Sequence, residues 1–412
     1  MTDNISGVRL ARRLGPVDAT AIGLGSMLGA GVFAVFAPAA ASAGGLLPVA
    51  LLLAGFVAYC NAVASAQLAA AYPTSGGTYF YGRERLGPWW GFTAGWGFVV
   101  GKTASCAAMA LTFASYAAPA FPRPVAVAAV IALTAVNYRG VTRTALVTKV
   151  LLAVVLTVLL LTIALSTPDV SEVDFAGGSP GGVLQAAGLL FFAFAGYARI
   201  ATLGEEVRDP RRTIPRAILA ALAIALVVYL AIALTLLAVL GPHRLATSVA
   251  PLADALRATG HPAWLATVGA AAASLGALLA LVAGIGRTTL AMARNRDLPG
   301  RLASVHPRFA VPHHAELAVG AVVCVVVLVA DLREVIGFSS FGVLVYYAIA
   351  NLSAFTQPAA DRRWPRALNV TGLAGCLLLA ATLPPAAVLT GLGVFAVGLA
   401  GRAAATRRRR RC

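Results

Sequence analysis

Apolar residues run along this chain in long blocks separated by short polar joints, the pattern of a polypeptide threaded repeatedly through a bilayer. A helix that crosses the hydrocarbon needs roughly 20 predominantly apolar residues. Such segments fall at 17–41, 45–70, 90–118, 123–138, 145–166, 183–203, 215–240, 264–292, 315–330, 334–356, 367–382 and 385–401. The pattern predicts an all-α polytopic membrane protein with twelve transmembrane helices, since a helix satisfies its backbone polar groups within its own segment. The first block is longer than the apolar region of a cleavable leader and many spans follow it, so it is expected to stay as helix one.

Two blocks are interrupted where a spanning helix should be most regular. Span one contains Gly25-Ser26-Met27-Leu28-Gly29-Ala30-Gly31-Val32-Phe33, three glycines within seven residues, and each glycine weakens a helix by about 1 kcal/mol relative to alanine. Span six contains Phe191-Phe192-Ala193-Phe194-Ala195-Gly196-Tyr197-Ala198-Arg199, a milder break with a single glycine at its centre. Irregular backbone at bilayer depth persists only where it lines a cavity or is buried in protein. Interrupted segments at matching places in two halves point to an inverted repeat with a binding site at the midplane. The competing reading is small-residue helix packing of the Gly-x-x-x-Gly kind.

Composition agrees with the hydropathy pattern: of 412 residues, 59% are hydrophobic and 11% charged. A net charge of +17 could suggest nucleic acid, but the basic residues sit between apolar blocks instead of along one face, so no nucleic-acid partner is expected. The charge reports topology. With the N-terminus inside, only Arg123, Arg244, Arg257 and Arg333 fall in external loops, Lys102 and Arg199 fall within spans, and the remaining Lys and Arg are internal. Both termini are therefore expected in the cytoplasm of a multi-pass cell-membrane protein, with the Arg407–Arg411 run beside anionic lipid. Cys60, Cys106, Cys324, Cys376 and Cys412 lack paired spacing, so neither a disulfide nor a metal or other cofactor is expected.

Three co-linear motifs carry a resemblance. The Gly-Ser-x-x-Gly-x-Gly-Val-Phe of span one, the Tyr72-Pro73-x-Ser75-Gly76-Gly77-x-Tyr79 loop after span two, and Phe191–Tyr197 followed by Glu205-Glu206-Val207-x-Asp209-Pro210 resemble the amino acid–polyamine–organocation (APC) permeases over roughly residues 15–360. The resemblance implies the leucine-transporter type of fold, a 5+5 inverted repeat with discontinuous helices one and six. The transport core would occupy residues 1–360, with repeats at about 15–166 and 183–356, followed by two peripheral helices at 361–401 and a basic tail at 402–412.

The resemblance and the chemistry of a broken helix together suggest a site for the amino acid backbone. The free N–H groups and positive dipole at Gly29, Ala30 and Gly31 suit a carboxylate. Carbonyls around Ser26 and Met27, and at Phe192, Ala193 and Ala195 beside Gly196, suit an ammonium. Phe192 stands where similar permeases carry an aromatic covering the substrate, and Phe98 and Cys106 resemble positions facing its side chain. Lys102 lies near the middle of span three, where a charge costs roughly 2.5–3.5 kcal/mol. It could replace a coupling cation, carry a proton, pair with a substrate carboxylate, or bond structurally to carbonyls of a broken helix. Arg199, with Glu205 or Glu206, reads as structural or as part of an intracellular gate.

No Asp or Glu falls in the middle of a span, so a cationic side chain brought to the midplane would lack a partner, at a cost of several kcal/mol. Neutral amino acids are favoured and acidic ones come second; arginine, lysine and polyamines are disfavoured. The expected activity is secondary transport by alternating access, as symporter or antiporter, with protons or exchange as the coupling. All five histidines lie in loops or at helix ends, which leaves no histidine relay at the site. A membrane-embedded enzyme would need converging carboxylates or histidines, and the acidic loop groups show neither metal nor nucleophile spacing. Oligomeric state has no signature in the sequence.

Overall fold

A computed structural model describes residues 14–73, 76–140, 145–166, 178–201 and 206–411. The elements, in chain order, are α1 (Pro16–Met27), α2 (Gly31–Ala34), α3 (Phe36–Ala43), α4 (Leu47–Ala71), α5 (Gly77–Leu86), α6 (Pro88–Ala117), α7 (Pro122–Tyr138), α8 (Ala145–Leu165), α9 (Pro180–Phe194), α10 (Ala198–Ala201), α11 (Pro210–Thr247), α12 (Pro251–Ala258), α13 (Trp264–Arg294), α14 (His313–Val329), α15 (Leu332–Phe355), α16 (Arg366–Thr382) and α17 (Pro385–Arg411). Among the described residues nine helical stretches are long and apolar enough to cross a membrane, and α7, α14 and α16 are shorter apolar helices.

Proline marks where many of these helices begin: Pro16, Pro88, Pro122, Pro180, Pro210, Pro251 and Pro385 each open one, because the first turn has no use for the missing N–H and gains from the fixed φ. Asp331 and Glu334 cap α15 reciprocally, the Glu334 amide donating to Asp331 at 2.9 Å and the Asp331 amide to Glu334 at 3.2 Å. Gly241, at φ 69°, kinks α11 near its end, in a conformation that a side chain would strain.

The helices sort into two packed groups. Helices α1, α3, α4, α9 and α11 pack on one another, while α6 packs against α13, α15, α5 and α7, and α14 against α7 and α13. Helix α8 touches α1 on one side and α13 on the other. A short parallel bridge joins Leu14 to Val207: the Leu14 amide donates to the Glu206 carbonyl at 3.1 Å and the Arg208 amide to the Leu14 carbonyl at 2.9 Å. It ties the entry of α1 to the chain beyond α10.

Two segments differ from the sequence reading. The stretch taken as a loop between spans two and three contains α5, whose Tyr79 and Tyr81 are buried against α6 and α15. Residue 401, where span twelve was placed to end, is not a helix end, since α17 continues through Arg411.

Helix α5 is held by a buried carboxylate from the end of α13. Asp297 accepts from Tyr79 at 2.8 Å, and pairs with Arg83 at 3.2 Å and with Arg402 of α17 at 3.0 Å. Burial, and then the neighbouring Asp297 carboxylate, push the Tyr79 hydroxyl up to about 12, so it stays a neutral donor at ordinary pH. The Arg402 guanidinium also lies over Trp89 and Phe92, at 4.7 and 4.8 Å from their ring centres.

Candidate functional site

Helix one opens at Leu28, Gly29 and Ala30 and resumes at Gly31. The Leu28 amide still reaches back to Leu24 at 2.7 Å, and beyond the break the Phe33 and Val35 amides donate back to the Ala30 and Gly31 carbonyls at 3.0 Å each. Among the described residues no hydrogen bond is made by the amides of Gly29, Ala30 and Gly31, the donors a helix start leaves free. Beside this break, between α1, α8 and α13, lies a cavity of 10 Å³ lined by Gly25, Leu28, Thr148 and Leu152, room for about one water.

Helix six breaks in a tight turn at Ala195–Tyr197 between α9 and α10. The two breaks cross in backbone contact. A Cβ on Gly196 would fall on the Ser26 carbonyl, and one on Gly31 would come within 2.8 Å of the Ala193 Cα. These two glycines are needed for the crossing itself, because at Gly31 and Gly196 the other helix makes the close approach. Gly29 is less confined, with Ala277 its nearest neighbour at 3.2 Å.

Carbonyls freed by the breaks are met by hydroxyls and an amine that the hydropathy reading does not single out as a set. Tyr229 of α11 lies 2.6 Å from the Met27 carbonyl and 3.0 Å from the Ala193 carbonyl, so one hydroxyl bridges both breaks. The Ala195 carbonyl accepts from Lys102 Nζ at 3.4 Å and from Tyr347 at 3.2 Å. Tyr116 donates to the Phe33 carbonyl at 3.0 Å and accepts from the Leu252 amide at 3.3 Å. Met27, Ala193 and Ala195 are therefore not bare acceptors: the Met27 and Ala193 carbonyls each keep a lone pair beyond the Tyr229 contact, while the Ala195 carbonyl has both of its lone pairs engaged. A tyrosine isolated within an apolar helix was the available signal, because its hydroxyl needs a partner when buried.

Lys102 is buried, and of the roles open to it the bond to a broken-helix carbonyl is the one present. Phe98, Lys102 and Cys106 are spaced one turn apart along a single stripe of α6. Phe98 packs on Tyr346 with ring centres 5.5 Å apart, and Cys106 is fully buried. Phe192 is buried at the crossing, flanked by Phe191, which meets Tyr347 edge-on at 5.7 Å, and Phe194, which meets Tyr229 at 5.2 Å. Tyr197 stacks on Tyr347 at 5.0 Å. The Ser26 hydroxyl turns back to the Ile22 carbonyl at 2.8 Å, away from the break.

Arg199 lies within electrostatic reach of Arg287 and Glu206, whereas Glu205 lies outside the described residues. Glu316, placed near a span end by the sequence, is 2% exposed and packs on Gly286, with its Oε2 unpartnered. Among the described residues no group of three or more His, Cys, Asp or Glu could hold a metal ion.

The crossing can thus present free amides on one side and shared carbonyls on the other, with an amine at its edge and no carboxylate bonded to it among the described residues. Comparison with known proteins places this geometry in context. The profile of the amino acid permease family matches residues 14–399. An uncharacterized transporter of Mycobacterium tuberculosis is 58% identical over 399 residues, covering 95% of this chain and 90% of its own. The methylthioribose transporter of Bacillus subtilis is 29% identical, covering 84% of this chain and 79% of its own. The chloroplastic cationic amino acid transporter 7 of Arabidopsis thaliana is 28% identical, covering 86% and 67%. All three are named as transporters, none as an enzyme.

Proposed function

The chain belongs to the amino acid permease family, and we propose that it carries neutral amino acids across the cell membrane by alternating access, coupled to protons or to exchange. The nine long apolar stretches and the three short helices α7, α14 and α16 support twelve spans, an even number that puts both termini on one side, and the concentration of Lys and Arg in the loops on that side makes it the cytoplasmic one. The two breaks, one in each half, support the 5+5 inverted repeat with two peripheral helices.

In this reading the substrate carboxylate takes the free amides of Gly29, Ala30 and Gly31, where the helix dipole favours an anion. The ammonium takes lone pairs left on carbonyls from Ser26, Met27, Phe192 and Ala193, and takes that of Ala195 by displacing Lys102 or Tyr347, at the Gly196 turn. Phe192 closes over the bound molecule, and Phe98 and Cys106 face its side chain. Arg199 and Glu206, with Glu205, form the intracellular gate. The Leu14–Val207 bridge lets the inner ends of helices one and six move together, so α1, α4, α9 and α11 rock as a bundle against the α6 group.

The observation that carries the substrate class is the amine of Lys102 at the Ala195 carbonyl. The backbone ammonium of a substrate arrives with its own carboxylate, but a cationic side chain added beside Lys102 would meet a like charge and no counter-charge, which low dielectric makes costly. Lys102 also supplies a coupling route: losing its proton loosens its hold on the Ala195 carbonyl, and regaining the proton restores it. The names of relatives span a thiosugar and cationic amino acids, so the substrate class rests on this site's charges and not on kinship. Ligand-induced thermal stabilisation tests it. Leucine, alanine or methionine at a hundredfold excess over Kd should stabilise the purified protein by about 2.7 kcal/mol. Stabilisation by lysine alone would contradict the proposal.

A further inference from the structure

Helices α15 and α16 enclose a cavity of 170 Å³ lined by Asn351, Leu352, Phe355, Asn369, Val370 and Leu373, slightly larger than a cavity that admits benzene. It opens on the outer surface of the bundle, where Val370 is 53% and Phe355 38% exposed. The cavity wall itself is apolar, and the amides just behind it are unspent. Asn369 is 2% exposed, yet neither its Nδ2 nor its Oδ1 has a partner, and the Asn351 Oδ1 is unpartnered as well. An amide left so keeps its full desolvation penalty, and the hydrocarbon offers no water to relieve it.

The rim has a fixed charge. The Arg366 guanidinium lies over the Phe355 ring at 5.1 Å from its centre, which sets a cation at the mouth. Arg366 ends the run Asp361-Arg362-Arg363-Trp364-Pro365-Arg366, in which the arginines outnumber the acid and Trp364 is of the type that settles at headgroup level. The buried Nε of Arg362 is also unpartnered. From Arg366 to Asn369 the helix rises about 4.5 Å toward the membrane interior.

We infer that this is a binding site for one anionic diacyl phospholipid. The phosphate pairs with Arg366, one turn below it a glycerol ester carbonyl accepts from Asn369 Nδ2, and an acyl chain lies along Leu352, Val370 and Leu373. A basic pocket between membrane helices selects anionic headgroups, and the amide at ester depth distinguishes a lipid from a soluble anion. The inference requires that α15 and α16 lie in a bilayer and is independent of what the protein carries, so its failure leaves the transport proposal standing.

Delipidated full-length protein in detergent is titrated with phosphatidylglycerol, phosphatidylcholine or glycerol 1-phosphate, and retention by native mass spectrometry and the thermal midpoint are both read. Phosphatidylglycerol should bind tightest and raise the midpoint, and glycerol 1-phosphate should do neither. Arg366→Gln should weaken phosphatidylglycerol about fivefold, to the level of phosphatidylcholine, and Asn369→Leu should weaken both lipids about fivefold. Should Asn369→Leu fail to fold, Val370→Trp fills the cavity from its exposed mouth and should also weaken both. Arg308→Gln, an exposed arginine over Phe309, should change nothing. Unaltered lipid binding in the Arg366 and cavity variants, equal loss in Arg308→Gln, or equal stabilisation by glycerol 1-phosphate would overturn the assignment.

Discussion

Gly196 and Gly31 do their work as absent side chains, and that makes them the most sensitive positions in the account. In Gly196→Ala the new methyl group meets the Ser26 carbonyl, part of a backbone that has no free end to swing aside. Overpacking of this kind costs about 1–3 kcal/mol, so the variant should unfold at lower temperature and lose transport more than a Gly29→Ala variant does. Lys102 tests differently: Lys102→Ala should keep substrate-induced stabilisation while its transport rate loses dependence on an imposed pH gradient. Full rate with an unchanged pH response would remove Lys102 from coupling. At this scale the glycines were legible because glycine within an apolar helix has a cost that must be repaid. Tyr229, Tyr347 and Tyr116 were not, since a tyrosine hydroxyl 202, 152 or 83 residues away in sequence carries no periodicity that pairs it with Met27, Ala195 or Phe33.

At the scale of elements, the long apolar helices follow directly from hydropathy, and the first break fell within the Gly25–Gly31 run and the second at Gly196, the single glycine at the centre of span six. Helix α5 escaped because Gly77–Leu86 is short, mixes tyrosines with Arg83, Glu84 and Arg85, and lies between Gly76 and Gly87. What makes it a helix is tertiary: Tyr79 and Arg83, one turn apart, both reach Asp297 at the end of α13. The same carboxylate holds Arg402, so one residue joins α5, α13 and α17. Asp297→Asn leaves two guanidinium groups without their counter-charge, and breaking such a buried arrangement costs about 3 kcal/mol. The predicted outcome is a lower thermal midpoint and faster proteolysis near residues 72–87. A midpoint equal to that of the parent protein would show that the clasp is not structural.

For the whole molecule, the contact pattern and the site make one mechanical proposal. Helices α1, α4, α9 and α11 pack as a group, the Leu14–Val207 bridge ties the entry of α1 to the chain leading into α11, and both breaks lie where this group faces α6. A ligand that binds the crossing in only one arrangement of the two groups shifts their balance by its differential affinity, which is how a saturable carrier differs from an open channel. Family membership accounts for transport but leaves the cargo open, and the proposed preference for neutral amino acids rests on the charges at the crossing. The most direct test is uptake into proteoliposomes of labelled leucine, alanine, methionine, glutamate and lysine, with pH and sodium gradients imposed separately. Saturable uptake of a neutral amino acid, driven by the pH gradient or by counter-substrate and exceeding uptake of lysine, is the predicted result; lysine uptake exceeding that of all the neutral amino acids would contradict it.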